Sequence, residues 1–114
     1  MTSFTLVDTP AATVLRLRGE FDLSNTPDVE DALATALGAD DEVVVVDLSE
    51  MTFAGTTMMR ALLAGRAAAM THGKQLVFIR PTPIVWHAFE VMGLSEVFES
   101  FETLESALAT CHPG

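Results

Sequence analysis

Four consecutive valines, Val43 to Val46, constrain this chain more than any other stretch of it. Successive side chains of a strand point to opposite faces, so an unbroken apolar β-branched run needs cover on both sides. That is the position of a central strand in an α/β or mixed sheet, between layers of helix. The strand is expected to end at Asp47. A short loop then delivers two adjacent hydroxyls, Thr56 and Thr57, to the start of a helix, which places them at a rigid edge.

The flanking sequence supplies the other elements. Phe4 to Val7 and Thr13 to Gly19 read as short strands joined through the turn-rich Asp8-Thr9-Pro10-Ala11. In the second strand Leu15 and Leu17 point one way and Arg16 and Arg18 the other, as on a sheet with one wet face. Thr26-Pro27 reads as an N-cap followed by proline at the first helical position, opening a helix with the stripe Val29, Ala32, Leu33, Ala36, Leu37 that stops at Gly38. A second helix, 56 to 71, carries Met59, Leu62, Leu63, Ala67 and Met70 at helical spacing and ends at His72-Gly73.

Gln75 to Ile79 is a further strand, and Pro81-Thr82-Pro83 introduces a third helix with Val85, Ala88, Phe89 and Met92 on one face, stopped by Gly93. Val97-Phe98 reads as a short edge strand, and Thr103 caps a last helix ending at Cys111. The order is β-β-α-β-α-β-α-β-α, with no linker, repeat or low-complexity segment, which predicts a single α/β domain with one helix-covered sheet.

A chain of 114 residues suffices for one domain and can bury a core without metal or disulfide staples. Sixteen acidic residues against six basic ones give a formal charge of −10, and the basic residues Arg16, Arg18, Arg60, Arg66, Lys74 and Arg80 are scattered. A nucleic-acid partner, or attachment to an anionic membrane, would need them gathered into a patch. The acidic surplus favours solubility and a basic partner surface. The single cysteine, Cys111, lies on the apolar stripe Leu104, Ala107, Leu108, Cys111 and reads as a small buried hydrophobe in a reducing compartment. The sequence holds no 18-residue apolar run, and Met1-Thr2-Ser3-Phe4 lacks a charged region followed by an apolar one. A cytoplasmic protein without membrane insertion is expected.

The run Asp47-Leu48-Ser49, then Phe53, then Gly55-Thr56-Thr57-Met58-Met59 resembles the STAS family, the sulfate transporter and anti-sigma factor antagonist domain. That family reads Asp-Leu-Ser, a Phe, then Asp-Ser-Ser-Gly-Leu where a helix opens. Here Gly55 stands for the Asp, Thr56 and Thr57 for the serines, and Met58 and Met59 for Gly and Leu. Gly19-Glu20-Phe21-Asp22 and Met92-Gly93-Leu94 are further weak landmarks, so the resemblance spans nearly the whole chain. It implies a STAS-like domain with a mixed, mostly parallel sheet of about five strands and about four helices.

By this resemblance the serine before the Gly is the family's phosphoacceptor, which corresponds to Thr57, with Thr56 as the alternative. Without the flanking motif either threonine would be read simply as a helix N-cap. The resemblance implies a partner-binding switch that is not an enzyme and needs no cofactor or metal. It binds an anti-sigma factor, a serine/threonine kinase of the histidine-kinase-like ATPase fold, and a phosphatase reverses the phosphorylation. The implied contact surface comprises Gly55, Thr56, Thr57, Met58, Met59 and Arg60, flanked by Asp22, Ser24 and Asn25 and by Arg80 and Pro81 near the third helix. The alternative within the same family is a non-phosphorylated accessory subunit of a membrane transporter ATPase, which Gly55 and Met58 favour.

Other chemistries lack their residues. Asp47 resembles a receiver aspartate at a strand end, but paired acidic residues after the first strand and a late-strand Lys are missing. It reads instead as a polar strand end holding the loop before the helix. His72, His87 and His112 share no ligand spacing, Ser49 has no neighbouring base, and Gly55 and Gly65 lack the spacing and Lys of a phosphate loop. Trp86 falls off the Val85-Phe89-Met92 stripe and is expected partly buried under a neighbouring loop, with an interface anchor as the alternative.

Overall fold

In the computed structural model, which describes residues 2–111, these segments form β1 (Ser3–Asp8), β2 (Thr13–Phe21), α1 (Thr26–Leu37), β3 (Val43–Ala54), α2 (Thr56–Thr71), β4 (Gln75–Ile79), α3 (Pro83–Val91), β5 (Ser100–Phe101) and α4 (Leu104–Thr110). One five-stranded sheet has the order β1-β2-β3-β4-β5. β1 pairs antiparallel with β2, and the remaining neighbours are parallel. The mixed sheet and the order of elements are those expected from the sequence. His112 lies outside the described residues. Among the described residues no helix is long and apolar enough to cross a membrane.

The valine run divides its side chains between two apolar layers, as its lack of alternation demands. Val44, Val46 and Leu48 join Leu15, Leu17, Leu76 and Phe78 against α1, α2 and α3, while Val43 and Val45 join Val14, Val77 and Ile79 against Ala107 and Cys111 of α4. The Cys111 thiol is buried, and that burial raises its pKa. Beneath α3 the rings of Phe78, Phe89 and Phe98 pack with centroids 4.6 to 5.8 Å apart, and Trp86 meets Phe89 edge-on at 6.0 Å. Trp86 is thus partly buried, packed against this cluster.

Several local expectations are corrected. β3 does not end at Asp47. Pairing with β4 stops there, at Asp47 opposite Ile79, but β3 continues to Ala54 on β2 alone, through two register irregularities. Thr26 is not the cap of α1: Asn25 holds that position, and the Thr26 hydroxyl donates to the Asp22 carbonyl at 2.6 Å. On α2 the buried stripe is Met58, Met59, Leu62, Gly65 and Ala69, so Leu63, Ala67 and Met70 face solvent. Gly65 lies on this face against α1, where a Cβ would stand 3.2 Å from Leu33 Cδ1, so a larger residue would need that side chain to give by a few tenths of an ångström. Met92 lies beyond α3 and is largely exposed. Val97-Phe98 is a turn whose N–H groups both donate to the Leu94 carbonyl, so the edge strand starts later, at Ser100. Thr103 caps α4 as expected, in a reciprocal pair with Ser106.

Because Phe89 is fully buried among Phe78, Phe98 and Trp86, Phe89→Ala should lower unfolding stability by about 3–5 kcal/mol. Urea denaturation followed by Trp86 emission should show a lower midpoint with an unchanged slope.

Candidate functional site

The four parallel strands all release their chains at one sheet edge, so the segments that follow β2, β3, β4 and β5 open there onto α1, α2, α3 and α4. The extra length of β3 carries Gly55 beyond the end of β4 and against the end of β2. Gly55 N–H donates to the Phe21 carbonyl at 2.9 Å, and a Cβ at Gly55 would stand 3.8 Å from the Asp22 Cα. The expected meeting of the loop 22–25 with the start of α2 is therefore direct.

At that start the Gly55 carbonyl accepts the first helical bond, from Met59 N–H at 3.1 Å, and no side chain caps the helix. The first turn holds no acidic residue. Thr56 is exposed and Thr57 half-buried. Neither is the N-cap, so the N-cap reading of these hydroxyls does not apply. Arg60 is exposed, four residues after Thr56 and three after Thr57, a spacing that puts it on the same helix face. Met58 and Met59 are completely buried in the core. Their expected place in a partner surface is corrected accordingly, since consecutive helical positions at this register point under α2 onto the sheet.

The loop beside the helix start is rigidly built. Asp22 Oδ1 accepts from the Ser24 hydroxyl at 2.6 Å and from Ser24 N–H at 2.9 Å, while Asn25 Oδ1 accepts from Asp22 N–H at 2.8 Å. Asn25 Nδ2 also donates to the Glu20 carbonyl at 2.9 Å. The Ser24 hydroxyl, then its N–H, hold the Asp22 carboxyl below its usual pKa, so it is ionised at neutral pH. The negative group next to this helix start thus comes from the neighbouring loop, whereas the sequence motif places it at position 55.

Two apolar side chains complete the edge and escaped sequence reasoning as surface groups. Leu23 is 73% exposed at the tip of the loop, and Phe53 is 47% exposed with its ring 3.7 Å from where a Gly55 Cβ would stand. Phe53 was legible as a motif landmark.

Arg80 and Pro81 share the edge but not this patch. Thr82 donates to the Met51 carbonyl at 3.0 Å, which ties the start of α3 to β3 four residues short of Gly55. Arg80 N–H donates to the Phe101 carbonyl at 2.9 Å, turning the segment toward β5. Asp47 is also elsewhere than expected. It lies on the α4 side of the sheet, buried, accepting from Arg16 Nε at 3.1 Å and from Ser49 N–H at 2.9 Å, within β3 itself. Burial acts to raise its pKa, but the Ser49 and Arg16 hydrogen bonds outweigh it and leave the carboxyl below its usual range. Among the described residues no group of three or more His, Cys, Asp or Glu is placed to hold a metal.

Comparison with known proteins places this geometry. The family model described as "Mlab, STAS domain" matches residues 4–104. The anti-sigma-F factor antagonist RsfB of Mycobacterium tuberculosis is 26% identical over 110 residues, covering 96% of this chain and 89% of RsfB. An anti-sigma factor antagonist from Mycobacterium paratuberculosis superposes with a TM-score of 0.83 at 22% identity, covering 99% of this chain and 96% of that one. The anti-sigma factor antagonist SpoIIAA superposes in its unphosphorylated form with a TM-score of 0.79 at 20% identity, over 95% of each chain. The Bacillus SpoIIAA in its phosphorylated form gives 0.72 at 19% identity, over 95% of this chain and 98% of its own.

Asp47 yields a pH prediction with a definite sign. Its folded pKa lies below the unfolded value, so its ionised form stabilises the fold above the unfolded pKa, and that contribution disappears as pH falls through the folded one. Asp47→Asn should therefore be less stable than the parent at neutral pH, with the gap closing under acid. Denaturant midpoints across pH 2 to 7 check this, and a pH-independent gap would contradict it.

Proposed function

This chain belongs to the STAS domain family, and from that membership we propose that it is an anti-sigma factor antagonist, a binding protein that works in the cytoplasm with no chemistry of its own. RsfB and SpoIIAA carry that description, and the reading rests on one observation above the rest. The start of α2 offers an uncapped helix N-terminus with an exposed and a half-buried threonine hydroxyl, bordered by exposed Leu23 and Phe53.

In the unmodified state the two apolar side chains and Gly55, Thr56, Thr57 and Arg60 form the docking face, with Asp22, Ser24 and Asn25 along one side. Large apolar groups at the centre of such a face, ringed by polar ones, supply most of the binding energy of an interface. The partner is an anti-sigma factor of the histidine-kinase-like ATPase fold, and its capture frees a sigma factor.

The same partner switches the face off. Thr57 Oγ1 attacks the γ-phosphorus of ATP, its proton passes to a base of the kinase, and ADP leaves. A phosphatase restores the hydroxyl by hydrolysis. The phosphate adds about −1.5 to −2 charge at neutral pH. The unpaired N–H groups and positive dipole end of α2 accommodate it without unfolding the domain, and Arg60 is one turn away to pair with it. The docked partner loses its contact with Leu23 and Phe53, so the switch acts on binding and leaves the core intact. Gly55 and Met58, where the family has Asp and Gly, favour a second reading in which the same face docks permanently as an accessory subunit of a transporter ATPase and is never phosphorylated.

The experiment is affinity capture of the chain from its native cytoplasm, followed by reconstitution with the ATPase that co-purifies. Thr57→Glu should keep the parent's circular dichroism and bind that ATPase roughly tenfold or more weakly, because the new charge sits inside the interface. Thr57→Ala should bind normally and take no label from ATP. Labelling that persists in Thr57→Ala and vanishes in Thr56→Ala would move the acceptor to Thr56. Capture of transporter subunits with unmodified threonines would establish the second reading instead.

A further inference from the structure

Where β4 ends and α3 begins, Arg80, Pro81, Trp86, Ser100, Phe101 and Glu102 line a pocket of about 460 Å³, set apart from the Thr57 face. Its walls combine two aromatic rings with one group of each charge. Arg80 and Glu102 both line it, yet among the described residues Arg80 is in no ion pair; Arg16 and Arg18 take the carboxylates within reach of theirs. Arg80 is also the one described non-glycine residue with a left-handed backbone, φ 49°, and its N–H bond to the Phe101 carbonyl holds it there. Such conformations persist only where surrounding structure enforces them, and they gather at ligand sites.

Trp86 packs T-shaped against Phe89 and remains only partly buried, so indole surface is left for an apolar ligand group.

We propose that this pocket binds a zwitterionic amino acid with an apolar or aromatic side chain: the carboxylate on Arg80, the ammonium on Glu102, and the side chain against Trp86 and Phe101. Arg80 and Glu102 bring one group of each charge to the same pocket, which fits two opposite charges on one ligand, each taking a charge-assisted hydrogen bond. A simple anion would meet Glu102 and a chain of net charge −10, whereas a net-neutral dipolar ligand does not oppose that field. The pocket volume falls within the range of small-molecule sites. This assignment is independent of the phosphorylation reading.

Trp86 is the only tryptophan in the sequence, so its emission reports the pocket directly. Titration with L-phenylalanine, excited where phenylalanine does not absorb, should give a saturable change with a Kd of about 1 mM or below. 3-Phenylpropionate lacks the ammonium and 2-phenylethylamine the carboxylate, and each should bind about tenfold more weakly. Arg80 is exposed, so Arg80→Gln should fold normally, and it should bind L-phenylalanine no better than 2-phenylethylamine. No saturable response to L-phenylalanine, equal affinity for all three probes, or undiminished binding by Arg80→Gln in a variant of unchanged circular dichroism would overturn the proposal.

Discussion

The structure depends on covering both faces of β3. Val43 to Val46 are all within 1% of full burial, and none has a polar alternative to offer solvent. Burying a valine side chain contributes roughly 1.5–3 kcal/mol, so the run strongly disfavours any arrangement that leaves one face wet. α1, α2 and α3 gather on one side and α4 on the other in consequence. Parallel neighbours on β3 then require crossover helices, which send every loop of the parallel strands to a common edge.

What this fold does with that edge follows from one asymmetry. β4 leaves β3 at Asp47 while β2 stays with it to Ala54. The edge is therefore stepped. Gly55 and the start of α2 stand forward beside the loop 22–25, with Leu23 and Phe53 exposed, and the start of α3 is set back with β5. A forward patch with two exposed apolar anchors suits a protein partner that must come and go. The recessed corner, lined by Trp86, Phe101, Arg80 and Glu102, suits a small molecule. The step keeps the two apart, so a change of charge at Thr57 can act on the forward patch alone.

Much of this was legible in the sequence, for identifiable reasons. Four β-branched residues in a row have one good solution, and the stripes of α1 and the capping Thr103 are local signals that the tertiary structure had no cause to override. The failures are also physical. The face of α2 is hard to read because alanines and methionines surround the stripe, and it is settled by packing against distant residues such as Leu33, which lies against Gly65. The continuation of β3 past Asp47 was invisible because Ser49, Glu50 and Thr52 look like loop, though each pairs or lies along β2. The motif places Met58 and Met59 in the contact surface although the apolar stripe already includes Met59, and motif position does not state which way a helical side chain points. Leu23 had no signal beyond its place in a short loop.

The central claim is that the partner docks on the forward step of the edge. Hydrogen–deuterium exchange on the chain alone and in complex with its co-purifying ATPase tests it most directly. The account predicts added protection of amides in 22–25 and 53–60, with α4 and the Arg16–Asp47 face unchanged. Protection centred on α4 or on β1, with the α2 start exchanging as in the free chain, would contradict it.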